Sequence, residues 1–483
     1  MIDSLNEISG RKVSVIGAAR SGTAAAALLA RLGAIVTLSD TSNADKLGAE
    51  RVLEIEATGV AFALGASVEQ ALPEGTEIVV VSPGVPKEAP VLQAALARGI
   101  RVWGEIEFAF RVSMNRTHAI TGTNGKTTTT LLLAAMMLED PKFPRPTICG
   151  NISADEVKCT MSEAVENAIR PEYLDEDAPK QREAYLIAEI SSFQLEWVDT
   201  FSPKVAVLTN ITPDHLNRHK SFEEYAGAKA KLFTKQTKKD WAVLNYDDLE
   251  ARKIGVNSPP AKVIWFSTLG TPPGDFRLWI RKGFITARLN PRKNPTLIMP
   301  ISEIPETLPG AHSLSNILAA AGAAMAAGVS PVAIAKAVRA FKGVPHRMEI
   351  VADIRGVRYL NNSMCTNVAA AISSLSSIER PTIVICGGAD KEIDFSPLVP
   401  TLKTHARQVI LIGATSDKMK KTFEDGGYDS LIQAASLEEA VVLASKLAVP
   451  GDAVLLSPVC ASFDQFRDFE HRGQVFRRAV EEL

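Results

Sequence analysis

At 483 residues, with 46% apolar and 22% charged side chains, the chain is long enough for two to four cored domains of roughly 100–200 residues each. A formal net charge of −2 gives no electrostatic footprint for nucleic acid or a membrane surface, and no apolar run reaches the ~18 residues that span a bilayer. Five scattered cysteines (149, 159, 365, 386, 460) lack C-x-x-C spacing, which argues against zinc and a disulfide frame, and the N-terminus has no basic-then-apolar leader, so the chain reads as cytosolic.

Residues 13–16, VSVI, read as a buried strand entering the loop Gly17-Ala-Ala-Arg-Ser-Gly22. A helix over Thr23–Leu32 and a strand over Ala34–Ser39 follow, the strand ending in Asp40. This is a Rossmann-like βαβ unit with an acid about twenty residues past the glycines. Ala19 stands at the middle glycine position, where backbone must approach a pyrophosphate. That favours another nucleotide-like ligand over NAD, a purely structural βαβ being the alternative. A second strand, Glu77–Val81, ends in Ser82-Pro-Gly-Val-Pro86, and the first domain closes near 111–115.

The stretch Thr117–Met137 dominates the middle of the chain. An apolar, β-branched run, Ala119–Thr121, enters the loop Gly122-Thr123-Asn124-Gly125, which delivers Lys126, Thr127 and Thr128 to the first turn of an Ala/Leu-rich helix. Strand, glycine loop and helix in that order form an anion site, because loop and first-turn N–H groups point at a phosphate and the helix dipole favours its charge. Lys126 can reach outer phosphates and the Thr127 hydroxyl can ligate Mg²⁺. The first glycine of G-x-x-x-x-G-K falls at Ile120, so the pattern here is the shorter G-T-N-G-K-T. ATP or a close relative is the expected ligand.

Beyond Cys149-Gly-Asn151, the polar, acid-rich stretch from about Ser153 to Glu183 reads as an inserted surface segment. A strand over Ala184–Ala188 then delivers Glu189 and Ser191-Ser-Phe-Gln194, and another over Val205–Thr209 runs into Asn210-Ile-Thr-Pro-Asp-His215. In a parallel sheet these clusters and the glycine loop share one edge. Glu189 and His215 are candidate ligands for a divalent cation there, although for either alone a hydrogen-bonded structural role is as good a reading. The helix predicted over Ser221–Lys238 opens with a Ser221/Glu224 capping box and sets Lys229 on its apolar face, four residues after Tyr225. Desolvation there lowers an amine's pKa; from spacing alone, an ammonium snorkelling to the surface is slightly favoured.

Residues 262–300 suggest short strands, with FRLWIRKGFITARL as a hairpin. Gly310–Asn316 opens a helix over Ile317–Ala327, and Gly343-Val-Pro-His-Arg347 marks a second boundary. Further strands end in polar loops at 361–367, 387–391, 413 and 457. A final helix is expected from Ser462, with Gln465 as capping partner and Phe466, Phe469 and Phe476 directed at the core. The expected fold class is α/β, with mainly parallel sheets flanked by helices in three domains: 1–113 and 345–483 Rossmann-like, 114–344 of the P-loop type.

GTNGKTT, EISSFQL, TNITPDHLNRH, YAGAKAKLF, GAHSLSN, GVPHRMEIV and LLSPVCASFDQFRDFEHRG together resemble the Mur ligases of peptidoglycan synthesis, almost end to end. The closing SPVCASFDQF block and the GAARSG loop look most like the branch that joins D-glutamate to UDP-N-acetylmuramoyl-L-alanine. The resemblance implies a UDP-sugar domain, a central ATPase domain and an amino-acid domain in an ADP-forming ligase acting through an acyl phosphate. It implies that residues Gly122 to Thr128, with Asn316 and Arg347, hold ATP. It implies two Mg²⁺ on Thr127, Glu189, His215 and a carbamylated Lys229, and catalytic roles for Lys126, His215 and Lys229. Ser21, Asp40, Thr41, Gly84 and Asn151 would line the sugar-nucleotide site, Ser191 would bind substrate, and Thr366, Lys391, Ser462 and Phe469 would receive the amino acid. The implied partners are these small molecules alone, with no nucleic acid and no membrane, and the expected state is a monomer.

Three departures stand out. The family's D-S-K-A-T-N loop reads Asn362-Ser-Met-Cys-Thr-Asn367, with Met364 at the lysine position; Ser313 replaces an asparagine; and the 153–183 stretch is longer than usual. The first leaves L-glutamate or another amino acid open, with Lys391 as a substitute cation. Rivals from other classes are an NAD-dependent oxidoreductase and a catalytically dead binding protein. The altered glycine fingerprint weighs against the first, and the intact Lys126, Glu189, His215 and Lys229 set against the second.

Overall fold

The computed structural model describes residues 8–152, 159–168, 185–215, 218–257, 261–390 and 393–483. Two compact units divide it: Met1–Glu303 with Ser315–Val338, and Ile304–Leu314 with Arg339–Leu483.

The first unit carries two sheets. Strands β1 (Lys12–Ile16), β2 (Ile35–Asp40), β3 (Ala61–Leu64), β4 (Ile78–Val81) and β5 (Arg101–Gly104) form a parallel sheet in the order β3-β2-β1-β4-β5. β4, IVVV, is buried at every residue, as expected of a central parallel strand covered on both faces. The order reverses at β1, so the loop after it and the loop after β4 open side by side at the crevice where such sheets place ligands.

The second sheet contains β6 (Arg116–Thr121), β7 (Thr147–Gly150), β8 (Tyr185–Glu189), β9 (Val205–Leu208), β10 (Trp241–Asn245), β11 (Lys262–Ser267), β12 (Phe276–Arg281), β13 (Phe284–Arg288) and β14 (Thr296–Pro300). Their order is β14-β13-β12-β11-β10-β9-β6-β8-β7, parallel from β7 through β12. The last two pairings are antiparallel, and β12–β13 is the expected hairpin, turning at Lys282-Gly283. β6 lies between β8 and β9, so the loops leaving all three emerge together. One apolar core runs from Val15 and Leu28 through Phe108 to Ala119, Leu186 and Leu208.

The second unit holds β15 (Glu349–Ile354), β16 (Val357–Asn361), β17 (Thr382–Gly387), β18 (Ala406–Ile412), β19 (Leu431–Gln433) and β20 (Ala453–Leu456). The order is β15-β16-β20-β17-β18-β19, parallel except for the β15–β16 edge. Separate cores fill its two faces, one around Phe395 and Phe423, the other around Leu437 and Phe476.

Several elements differ from the sequence reading. Part of the supposed surface insertion is a helix, Met161–Ala168, whose Met161, Ser162, Ala164 and Val165 are buried. Its apolar face was hidden by the acidic residues around it. The helix after β1 spans Arg20–Arg31, placing Arg20 and Ser21 in its first turn. The last helix starts at Phe469, seven residues later than expected: the Asp468 carboxylate accepts from His471 N at 2.7 Å, and only one turn closes at Ser462, by Phe466 N to Ser462 O at 2.9 Å. Phe466 is half-buried in that turn, while Phe476 is fully buried. The helix of Lys229 spans Phe222–Thr234 behind a Ser221 cap that accepts from Glu224 N at 3.1 Å.

Candidate active site

The glycine loop is held by the segment following β9. Thr123 N donates to Asn210 O at 2.9 Å and Asn124 N to Asn210 Oδ1 at 2.9 Å. Asn124 O accepts from Thr209 Oγ1 at 2.6 Å and Asn210 Nδ2 at 3.0 Å. Gly122 has φ +152° and Gly125 φ +82°; a Cβ would collide with Thr209 Oγ1 at the first and Asn316 Oδ1 at the second. Both positions therefore require glycine. The helix that follows, Lys126–Leu138, has no side-chain N-cap and no acid in its first turn. Its N–H groups and its dipole are left to an anion. Lys126 folds back, Nζ donating to Thr123 O at 2.9 Å. Thr128 lies buried beside it.

Around this loop stand the other predicted residues. Thr127 Oγ1 donates to Glu189 Oε2 at 2.8 Å, and Glu189 is 3% exposed. Lys229 is 2% exposed: it is buried, not snorkelling, with Nζ donating to Gly122 O at 2.8 Å and standing 4.6 Å from the Tyr225 ring centre. Burial first, then the Lys126 charge, drives its pKa well below the usual lysine value, against the opposing pull of Asp214 and Glu189. The shift favours the neutral amine. His215 sits at φ +53°, its side chain half exposed and its ring 4.9 Å from Phe193. Ser191 braces its own turn: Oγ donates to Gln194 Oε1 at 3.1 Å and accepts Gln194 N at 3.3 Å.

The donors fit a Mg²⁺-nucleotide better than a bare metal cage. Among the described residues no three His, Cys, Asp or Glu converge as a metal cluster. Mg²⁺ in phosphoryl-transfer sites takes one or two protein oxygens and the rest from phosphates and water. A hydroxyl on a buried carboxylate, beside an uncapped helix start and two lysines, is such a set.

Sequence reasoning missed three groups here. Asp214 opposes the pKa shift of Lys229, although it lies within the predicted Asn210–His215 cluster. Tyr225 hydrogen-bonds Thr123 Oγ1 at 3.0 Å, and buried His219 Nε2 bonds Ser192 Oγ at 3.0 Å. All three lie in stretches that the sequence marks, Asp214 and His219 in TNITPDHLNRH and Tyr225 in YAGAKAKLF, but nothing there assigned them partners.

In the same unit, a cavity of about 550 Å³ opens beside β1 and β4, and Ser21, Asp40, Thr41, Gly84 and Asn151 all line it. Asp40 does not offer its carboxylate freely: Oδ2 accepts Ala18 N and Oδ1 accepts Ser42 N, both at 2.8 Å, which fixes the glycine loop.

In the second unit, Ser363 Oγ donates to Phe469 O at 2.7 Å, joining the loop that carries Thr366 to the start of the last helix, which follows the Ser462 turn. Arg472, 0% exposed, spans the same junction: Nε and Nη2 donate to Ser363 Oγ and O at 3.1 and 2.9 Å, and Nη1 to Cys460 O and Ala461 O at 3.2 Å. Desolvation lowers its pKa to about 10. Arg472 stands in the FEHRG motif, but nothing in the sequence assigned it a partner. Met364, at the lysine position, lies with its sulfur 3.1 Å from Arg347 Nη2. Lys391 lies outside the described residues.

Comparison with known proteins agrees across the chain. Residues 11–104 match a Mur ligase MurD-like N-terminal domain, 120–324 a Mur ligase middle domain, and 346–460 a Mur ligase glutamate ligase domain. A protein from Acidobacterium capsulatum named UDP-N-acetylmuramoylalanine–D-glutamate ligase is 40% identical over 475 residues, 98% of this chain and 97% of its own. One of the same name from Thermoanaerobacter pseudethanolicus is 39% identical over 479 residues, 99% of each chain. The crystal structure of UDP-N-acetylmuramate–alanine ligase from Thermotoga maritima shares the fold, with a TM-score of 0.57 at 16% identity over 98% of this chain and 99% of that one. The chain belongs to the Mur ligase family.

Proposed function

We propose that this enzyme joins D-glutamate to UDP-N-acetylmuramoyl-L-alanine with cleavage of ATP to ADP and phosphate. The observation that carries the reading is the meeting of an uncapped helix start, Lys126, the Thr127–Glu189 pair and buried Lys229 on one sheet edge, in the unit that also holds the nucleotide-sized cavity. The names of the full-length relatives supply the substrates.

The substrate carboxylate takes the γ-phosphoryl group, the amine of glutamate attacks the acyl phosphate, and the tetrahedral intermediate expels phosphate. The difficulty is electrostatic, since two anions must be pressed together. The N–H groups of the glycine loop and helix start, with Lys126, hold the phosphates in line, and Asn316 and Arg347 contact the nucleotide. Thr127, Glu189, His215 and Lys229 would hold two Mg²⁺, which when bound supply charge neutralisation between the reactants. Lys229 takes this role as a carbamate: its amine, which burial shifts toward the uncharged form, adds CO₂ and releases a proton, turning a poor ligand into an anionic one. Ser21, Thr41, Gly84 and Asn151 line the sugar-nucleotide cavity, and Ser191 binds substrate. Thr366, Lys391, Ser462 and Phe469 receive the amino acid, whose attacking amine gives its proton to the His215 loop.

Phosphate release from ATP tests the proposal, with UDP-N-acetylmuramoyl-L-alanine present and D-glutamate, L-glutamate and other amino acids compared. Turnover with D-glutamate is expected. Turnover confined to another amino acid would make Met364 the mark of a changed specificity, and no turnover with any would overturn the substrate assignment.

A further inference from the structure

The helix Met161–Ala168 has no role in the ligase chemistry, yet it is fastened at three points to the sugar-nucleotide half of the unit. Ser162 N and Oγ both donate to Glu105 Oε1 at 2.7 Å. Arg31 pairs with Glu166 at 3.7 Å. The third contact reaches the cavity itself. Arg20, in the first turn of the helix after β1, lines that cavity and presents a two-pronged contact to Glu163, Nη2 to Oε2 at 3.0 Å and Nε to Oε1 at 3.4 Å. Glu163 is in turn fixed by reciprocal capping bonds, with Thr160 N donating to its Oε2 at 2.6 Å and Glu163 N donating to Thr160 Oγ1 at 3.1 Å.

Charge makes this arrangement informative. Among the described residues lining the cavity, Arg20 is the one cation and Asp40 the one anion, and Asp40 accepts from the backbone N–H groups of Ala18 and Ser42. A nucleoside diphosphate brings a compact double anion whose oxygens match the planar guanidinium fork as a carboxylate does. The Arg20 side chain is 37% exposed and that of Glu163 32%, so water can reach the pair and the guanidinium can turn without unfolding either helix. We infer that Arg20 is the diphosphate-binding residue of the cavity, and that Glu163 is its resting partner, exchanged for phosphate oxygens when the nucleotide-sugar enters. The helix Met161–Ala168 thus tunes the binding site by holding a competing carboxylate on Arg20. The inference rests on the proposed nucleotide-sugar substrate.

The test is calorimetric titration of the full chain with UDP and, separately, with uridine. For Arg20→Ala, UDP binding is expected to weaken by about ten- to a hundredfold, the equivalent of one charge-assisted contact, with uridine binding unchanged. Glu163→Gln keeps the capping geometry and removes the competing charge, so UDP binding is expected to tighten by several-fold. Equal losses for UDP and uridine in Arg20→Ala would reduce Arg20 to a structural residue and overturn the inference, as would unchanged UDP binding in either variant. Failure of the wild-type chain to bind UDP would instead remove the nucleotide-sugar reading, and this inference with it.

Discussion

Replacing Glu105 by glutamine changes the pH dependence of stability in a direction the structure fixes. Glu105 is 1% exposed at the start of the helix Glu105–Val112. Both Ser162 donors converge on its Oε1, and its Oε2 has no hydrogen-bond partner among the described residues. Burial, reinforced by the charge of Glu163, lifts its carboxyl from 4.5 to about 7. The folded chain therefore keeps a proton that the unfolded chain releases. The stabilisation is complete below about pH 4.5 and is lost as pH rises through about 7. Each tenfold difference in proton affinity between the folded and unfolded chains is worth about 1.4 kcal/mol, which amounts to about 3 kcal/mol across the window. Glutamine is the permanent mimic of the protonated acid and keeps the oxygen that accepts from Ser162. Glu105→Gln should match the wild type at about pH 5 and exceed it by about 3 kcal/mol at about pH 8. Urea unfolding followed by tryptophan fluorescence at both pH values measures this, because Trp103 is buried in the same core. A difference between the two proteins that stays constant with pH would refute the argument, since Glu105 would then be ionised in the fold throughout.

Lys229→Ala should be nearly inactive in ATP-dependent ligation yet partly restored by short carboxylic acids, which can occupy the space of the carbamate; full activity without them would remove the carbamate from the mechanism. Gly125→Ala sets a Cβ against Asn316 Oδ1 in a left-handed backbone and should abolish nucleotide binding in a direct titration, while leaving far-ultraviolet circular dichroism unchanged. Arg472→Lys leaves carbonyls of Ser363, Cys460 and Ala461 short of donors, at about 1–3 kcal/mol for each group left unpaired. It should raise the KM for glutamate far more than the KM for ATP; equal effects on both would assign Arg472 to stability alone.

The phosphate-loop part of the site was legible in the sequence because strand, glycine loop and helix lie within one continuous stretch, and each residue type there answers a local demand. Gly122 and Gly125 are forced by backbone conformation, and the Glu189 and His215 clusters are marked by apolar strands that stop at polar residues. Lys229 shows where local reasoning stops. Its place on the apolar face follows from the Tyr225 spacing, but whether its ammonium reaches water depends on Gly122 O lying across the chain to receive it, 107 positions away. Arg472 is the same case carried further: nothing near it in sequence separates a buried guanidinium from a solvated one, and its partners at Ser363 lie 109 positions back. The last helix failed for a different reason. Ser462 and Asp468 each begin a pattern compatible with a cap; Ser462 closes only one turn, just after the 460–461 carbonyls that serve Arg472 and Ala389, and the helix starts behind the Asp468 cap. Polar groups that bind ligands through their own backbone neighbourhood are thus written locally, whereas those that hold two loops together are decided by the fold.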